Sequence, residues 1–244
     1  MIIFIAGCAV VVPCAKASAL KCHFHNREAV LDILAVLMPL SEVAKQLLLT
    51  RTNGGVYVWW YFPFQLCSMP LYLLPLRQIL IRRIGEDSRV IRLLTDFLAD
   101  FSLLGGIFAF ADQSGMHYAV RVLTLHSYLW HFTMIFLGLY LVFSGRHSKD
   151  RENAFKTYQG PALLFLFLAA AAELINTLFH NFGEINMFYI SPWEPVTQII
   201  LKDIAAYTGN AAEIFIYILL ILAGGYLIHL LANFYAALLY CPKE

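Results

Sequence analysis

The chain has 244 residues, 60% hydrophobic and 14% charged, with a mean hydropathy of +0.69. Its 17 Lys+Arg against 16 Asp+Glu leave a formal net charge of +1, which excludes the strongly basic footprint of a nucleic-acid binder. So much apolar sequence exceeds what one soluble core needs and describes an all-α, polytopic transmembrane bundle forming a single domain.

The expected spans cover residues 2–20, 28–50, 56–81, 92–111, 120–143, 161–180 and 210–240. In the first, Ala-Lys-Ala-Ser-Ala (residues 15–19) resembles a signal-peptidase site, yet no basic residue precedes the apolar run, so it reads as a retained span. The second carries Asp32, Glu42, Lys45 and Gln46. The third holds Gln65, Cys67 and Ser68 among Pro63, Pro70 and Pro75. A proline inside a helix frees the carbonyl four residues earlier, and in hydrocarbon that carbonyl needs protein or a wet cavity beside it. The fourth span contains Asp96 and Asp100, which read as answers to nearby arginines. The fifth has His126, Trp130 and His131, the sixth Glu173 and Asn176, and the seventh Glu213 and His229. Residues 181–209, broken by Gly183, Pro192 and Pro195, suit an interfacial cap or re-entrant loop.

Cationic residues test this order. Lys16, Lys21, Arg27, Arg77, Arg82, Arg83, Arg89, Arg92, Arg146, Lys149, Arg151, Lys156 and Lys243 fall on one side, against Arg51, Arg121 and Lys202 on the other. The positive-inside rule then puts the N-terminus outside, the C-terminus in the cytoplasm and residues 181–209 outside the cell membrane.

Orientation converts sequence position into depth. Cys67 lies as far past Val56 as His131 lies past Val120, roughly 16 Å at ~1.5 Å per residue, close to mid-membrane. Glu42 and Gln46 share a face of the second span, and Glu173 and Asn176 share one of the sixth, in the same layer. Ionisable groups in a span are expensive, so a site is the default reading. The bland alternatives are a packing cysteine, a hydrogen-bonding histidine and a neutralised Glu42–Lys45 pair. The spacing of His126, His131, His180 and His229 supports no haem, and the last span has no lysine for a retinal Schiff base. No cofactor and no metal site is expected.

The stretch Phe62-Pro63-Phe64-Gln65-Leu66-Cys67-Ser68 resembles the Leu-Pro-Leu-His-Leu-Cys-Ser motif of the YwaF-type integral membrane proteins. His117-Tyr118 and Arg121 before His131 are similar to that family's fifth-span segment. Asn176 followed by Asn186-Met187-Phe188 and Pro192 or Pro195 is similar to its Asn…Asn-Tyr-Met-Tyr…Pro segment, and Glu42 resembles its second-span acidic residue. The family includes a vertebrate acyltransferase that moves fatty acyl chains between phospholipids. The resemblance therefore implies that Cys67 carries an acyl group, with His131 as its partner and membrane lipids as substrates. The chain departs at Gln65, where the family usually has histidine. Chemically, lipid-ester attack needs a nucleophile, a base and oxyanion donors. Cys67 and His131 supply the first two. Glu42 or Glu173 would orient the imidazole, while Gln65, Gln46, Asn176 or Asn186 would serve the oxyanion. The rival readings are a proton-coupled small-molecule transporter, supported by broken helices and acidic residues near the midplane, and a non-catalytic scaffold or sensor.

Overall fold

The computed structural model describes residues 2–21, 24–147, 153–196 and 198–240. All regular structure among them is helical: α1 (Ile2–Lys21), α2 (Phe24–Thr52), α3 (Pro70–Ile84), α4 (Arg89–Ala111), α5 (Arg121–Phe143), α6 (Ala154–Phe179), α7 (Ile199–Thr208) and α8 (Asn210–Tyr240). Six of these, α1, α2, α4, α5, α6 and α8, are long and apolar enough to cross a membrane. The protein is a multi-pass helical membrane bundle.

The third expected span differs from a continuous helix. Residues 56–69 are irregular backbone with short 3₁₀ turns at Trp59–Tyr61 and Leu66–Ser68. Only α3 that follows is α-helical, and its 15 residues cover about 22 Å, short of the ~30 Å hydrocarbon thickness. The cause is local: Pro63 and Pro70 each lack an amide donor, and Pro70 begins α3, where that donor has no intrahelical partner anyway. The irregular stretch and α3 together nonetheless lie alongside α2. Gln46 near one end of α2 bonds Tyr61 O at 2.6 Å, and Glu28 near the other end meets Arg77 of α3 at 3.0 Å. The 181–209 stretch also has more structure than a loop, since α7 lies within it.

α4 is the hub. It packs against α3, α5, α6 and α8 and buries residues on every face from Ile91 through Phe110, the polar Thr95, Asp96, Asp100 and Ser102 among them. Close approach to α5 depends on missing side chains: a Cβ at Gly138 would stand 2.8 Å from Ala99 O, and one at Gly106 3.0 Å from His131 O. Phe97, Phe101 and Phe165 continue the core as stacked rings 4.6 and 5.4 Å apart. α1 packs along α5, where Phe132 fills the space a Gly7 side chain would occupy.

The starts of α2 and α4 and the ends of α3 and α5 meet at one Arg-rich end of the bundle. There Arg77, 1% exposed, donates to Thr95 Oγ1 at 2.8 Å and to Glu28 Oε2. Arg146 donates to Glu28 Oε1 at 2.9 Å. Gln78 bridges Glu28 and Asp32, and Arg82 pairs with Asp32 at 2.7 Å. Two carboxylates thus answer three guanidinium groups, Arg77 and Arg146 buried and Arg82 exposed.

Candidate functional site

Cys67 lies in the irregular stretch, half-buried and a free thiol. It packs against the core of the bundle. A Cβ at Gly105 on α4 would lie 3.9 Å from both Cys67 Cα and Cβ, and Trp130 Nε1 of α5 donates to Cys67 O at 3.1 Å. The adjacent Gly106 meets the His131 carbonyl. Cys67 and His131 are therefore carried to neighbouring levels of α4, on faces about 100° apart.

His131 is buried, with Nδ1 2.7 Å from Ser127 O. A carbonyl only accepts, so Nδ1 carries the hydrogen and Nε2 is left as the proton-accepting nitrogen. The ring lies edge-on to Phe110, with centroids 6.4 Å apart. Among the described residues no hydrogen bond joins His131 to Cys67, Glu42 or Glu173.

The remaining expected residues form two groups. On α2, Glu42 Oε1 takes Lys45 Nζ at 2.8 Å and Gln46 Nε2 at 2.7 Å, a neutralised pair with an amide attached. In the second group Gln65 Nε2 donates to Asn186 O at 2.7 Å, leaving Oε1 as a buried acceptor without a partner among the described residues. Asn176 clasps Met187 twice, accepting its N–H at 2.7 Å and donating to its carbonyl at 3.1 Å. Asn186 Oδ1 accepts from Ser191 N at 2.9 Å. Glu173 stays local, accepting from Asn176 and Thr177 at 3.4 and 3.3 Å. In this conformation the amides hold backbone in place.

A groove of about 670 Å³ runs between α2 and the irregular stretch, lined by Pro39, Glu42, Gln46, Arg51, Pro63, Leu71 and Tyr72 among others. Val43 and Leu47 on its rim are 57% and 68% exposed, so it faces the lipid side. Its wall is apolar, with the Glu42–Gln46 corner within and Arg51 near the end of α2.

Two turns outside the spans close this end of the bundle. Asp112 accepts from Ser114 N at 3.0 Å and Ile199 N at 2.9 Å, tying the end of α4 to the start of α7. Burial pushes its carboxyl up, but these hydrogen bonds outweigh burial and hold it below the usual carboxylate range. Burial also pushes the phenols of Tyr118 and Tyr189 well above their ordinary value, so both stay neutral.

Sequence reading missed a second cluster. Asp100 does not answer arginines; its two oxygens meet His147 Nε2 at 2.9 Å and His229 Nδ1 at 2.8 Å, and all three side chains are wholly buried. Thr157 Oγ1 lies 2.8 Å from His229 Nε2. α5 ends in a Schellman arrangement, Gly145 N to Val142 O and Arg146 N to Leu141 O, with Gly145 at φ 70°. That reversal sends Arg146 to Glu28 and His147 into the bundle. The depth signal was present in part, since Asp100 and His229 both fall in the half toward the Arg-rich end, whereas His147 sits in the most polar stretch of the sequence. These are the described residues whose donor atoms could hold a metal, all within 4.8 Å of one another. No family model matches the chain, and no curated protein or solved structure matches it.

Proposed function

We propose that this membrane protein handles the acyl chains of lipids, carrying the acyl group on Cys67, as the YwaF-type resemblance implies. The observation that supports the reading is the placement of Cys67. An unwound membrane segment presents the thiol inside the bundle, and the same segment forms one wall of the lipid-facing groove. Unsatisfied irregular backbone is tolerated at membrane depth only against protein or a cavity, so unwinding here serves a site better than an anchor.

In this reading a phospholipid enters sideways, its acyl chain along Pro39 and Leu71 and its head toward Arg51. The Cys67 sulfur attacks the ester carbonyl, forming a C–S bond as the C–O bond breaks. The thiol proton passes to a base, for which His131 Nε2 is the candidate, and from it to the departing lysophospholipid oxygen. A second lysophospholipid hydroxyl then takes the acyl group, returning the proton to sulfur. Scarce water protects the thioester. The buried Gln65 Oε1 offers an acceptor to an incoming hydroxyl. The Arg-rich end lies in the cytoplasm of a cell membrane, as the positive-inside rule expects.

The test is transfer of a radiolabelled acyl chain from phospholipid to lysophospholipid by purified protein in lipid discs. Cys67→Ala should abolish turnover, and Cys67→Ser should impair it severely because a hydroxyl is the weaker nucleophile. His131→Ala should lower the rate by about 10²–10⁴-fold. Full activity in Cys67→Ala, or no transfer by the wild type with any phospholipid, would remove the enzyme reading and favour transport or scaffolding.

A further inference from the structure

We infer that Asp100, His147 and His229 form a binding site for a divalent transition-metal ion of the zinc class. The three donors come from separate elements, α4, the turn after α5, and α8, yet their ligand atoms lie within 4.8 Å of one another. Imidazole nitrogen with one carboxylate suits zinc, iron, cobalt or nickel, whereas calcium and magnesium prefer an all-oxygen shell. Metal–ligand bonds of about 2.0–2.2 Å separate neighbouring donors by roughly 2.9–3.5 Å. The observed 2.9 and 2.8 Å contacts reach that spacing with shifts below an ångström.

Two further observations point to a cation. The first is charge. Asp100 is wholly buried and its side-chain partners among the described residues are the two imidazoles. Arg146, next to His147 in the chain, is engaged with Glu28. A carboxylate removed from water is costly without a compensating charge, and a divalent ion between these ligands supplies it.

The second is the outer contact of His229. Thr157 Oγ1 lies 3.0 Å from Ala154 O and 2.8 Å from His229 Nε2. With an ion on the Nδ1 side, which faces Asp100 Oδ2 at 2.8 Å, Nε2 would carry the N–H and donate to Thr157 Oγ1, whose own hydrogen has Ala154 O as its acceptor. A metal-binding histidine with its other nitrogen donating to a fixed oxygen is the usual outer-shell arrangement. The ion would pin the turn after α5 to α4 and α8. This inference does not rest on the acyl chemistry, because the site lies about 7–8 Å along α4 from Gly105, where Cys67 packs.

The experiment uses tag-free, full-length protein in detergent, stripped with a chelator and titrated with Co²⁺, Zn²⁺ or Mg²⁺. One Co²⁺ per chain with visible d–d absorption, displacement by Zn²⁺, a Zn²⁺-dependent rise in melting temperature and no response to Mg²⁺ are expected. Asp100→Asn and His229→Gln should weaken Co²⁺ binding at least 100-fold. Thr157→Val should weaken it about 10–100-fold while keeping the stoichiometry. Should the ligand variants fail to fold, wild type and Thr157→Val decide alone. Absence of Co²⁺ absorption and of any Zn²⁺-dependent thermal shift in the wild type up to millimolar ion overturns the site. Unchanged affinity in Asp100→Asn, or in Thr157→Val when the ligand variants do not fold, does so as well.

Discussion

Asn176 shows how one side chain can carry a segment. Phe188 and Tyr189 adopt left-handed backbone at φ 56° and 58°, which costs about 1–3 kcal/mol apiece for residues other than glycine. Asn176 offsets that strain by satisfying both Met187 backbone groups, while Asn186 secures Ser191. Asn176→Ala leaves a buried N–H and a buried carbonyl unpaired, a loss of about 2–4 kcal/mol in all. The expected result is a lower melting temperature with faster proteolysis within residues 185–196; unchanged melting would mean that other contacts hold the turn. At this scale the sequence was partly legible. The Glu42–Lys45 pair followed from spacing on one helix, and the helix break before α3 followed from prolines around a polar mid-span. The clasp between Asn176 and Met187 did not, because it depends on a left-handed turn that no proline or glycine at Phe188 or Tyr189 announces.

Among the elements, the reversal after α5 has the widest reach. Gly145 lets the chain turn back so that consecutive side chains serve two buried clusters, Arg146 the Glu28 layer and His147 the Asp100 layer. A Cβ in left-handed backbone costs roughly 1–2 kcal/mol, so Gly145→Ala should lower thermal stability by about that amount. A variant as stable as wild type would show the turn to be unstrained. The α4–α7 junction gives a pH dependence. Asp112 titrates lower in the folded protein than in the unfolded chain, so its contribution is complete above the ordinary carboxylate pKa. It is lost as pH falls through the lower folded value. Hydrogen exchange at Ile199 should therefore accelerate on acidification beyond the intrinsic pH effect, and Asp112→Asn should flatten that response. A pH response in Asp112→Asn equal to that of wild type would assign it to another group. Helix identity was readable from hydropathy because long apolar runs have few alternatives, and the third pass was readable as interrupted. Its unwinding over residues 56–69 exceeds what two prolines dictate and reflects partners distant in sequence, Asn186 and Trp130.

Over the whole molecule, α4 links the two polar layers that matter. Cys67 packs at Gly105 on one side of mid-helix, and the Asp100 cluster lies toward the Arg-rich end. The bundle architecture was legible because composition leaves few ways to satisfy so much apolar sequence. The Asp100–His147–His229 convergence was not, since periodicity places residues on a helix face but does not say which helices α4 meets. The account turns on whether Cys67, on the segment whose Tyr57 and Pro63 line the groove, takes up acyl chains. The direct measurement is mass spectrometry of the Cys67 peptide after the purified protein is held with a defined phospholipid in lipid discs. A hydroxylamine-labile mass increase equal to that lipid's acyl chain, on Cys67 and absent from Cys8 and Cys14, is the predicted result. An unmodified Cys67 during measurable lipid turnover, or equal labelling of Cys8, Cys14 and Cys67, would contradict it.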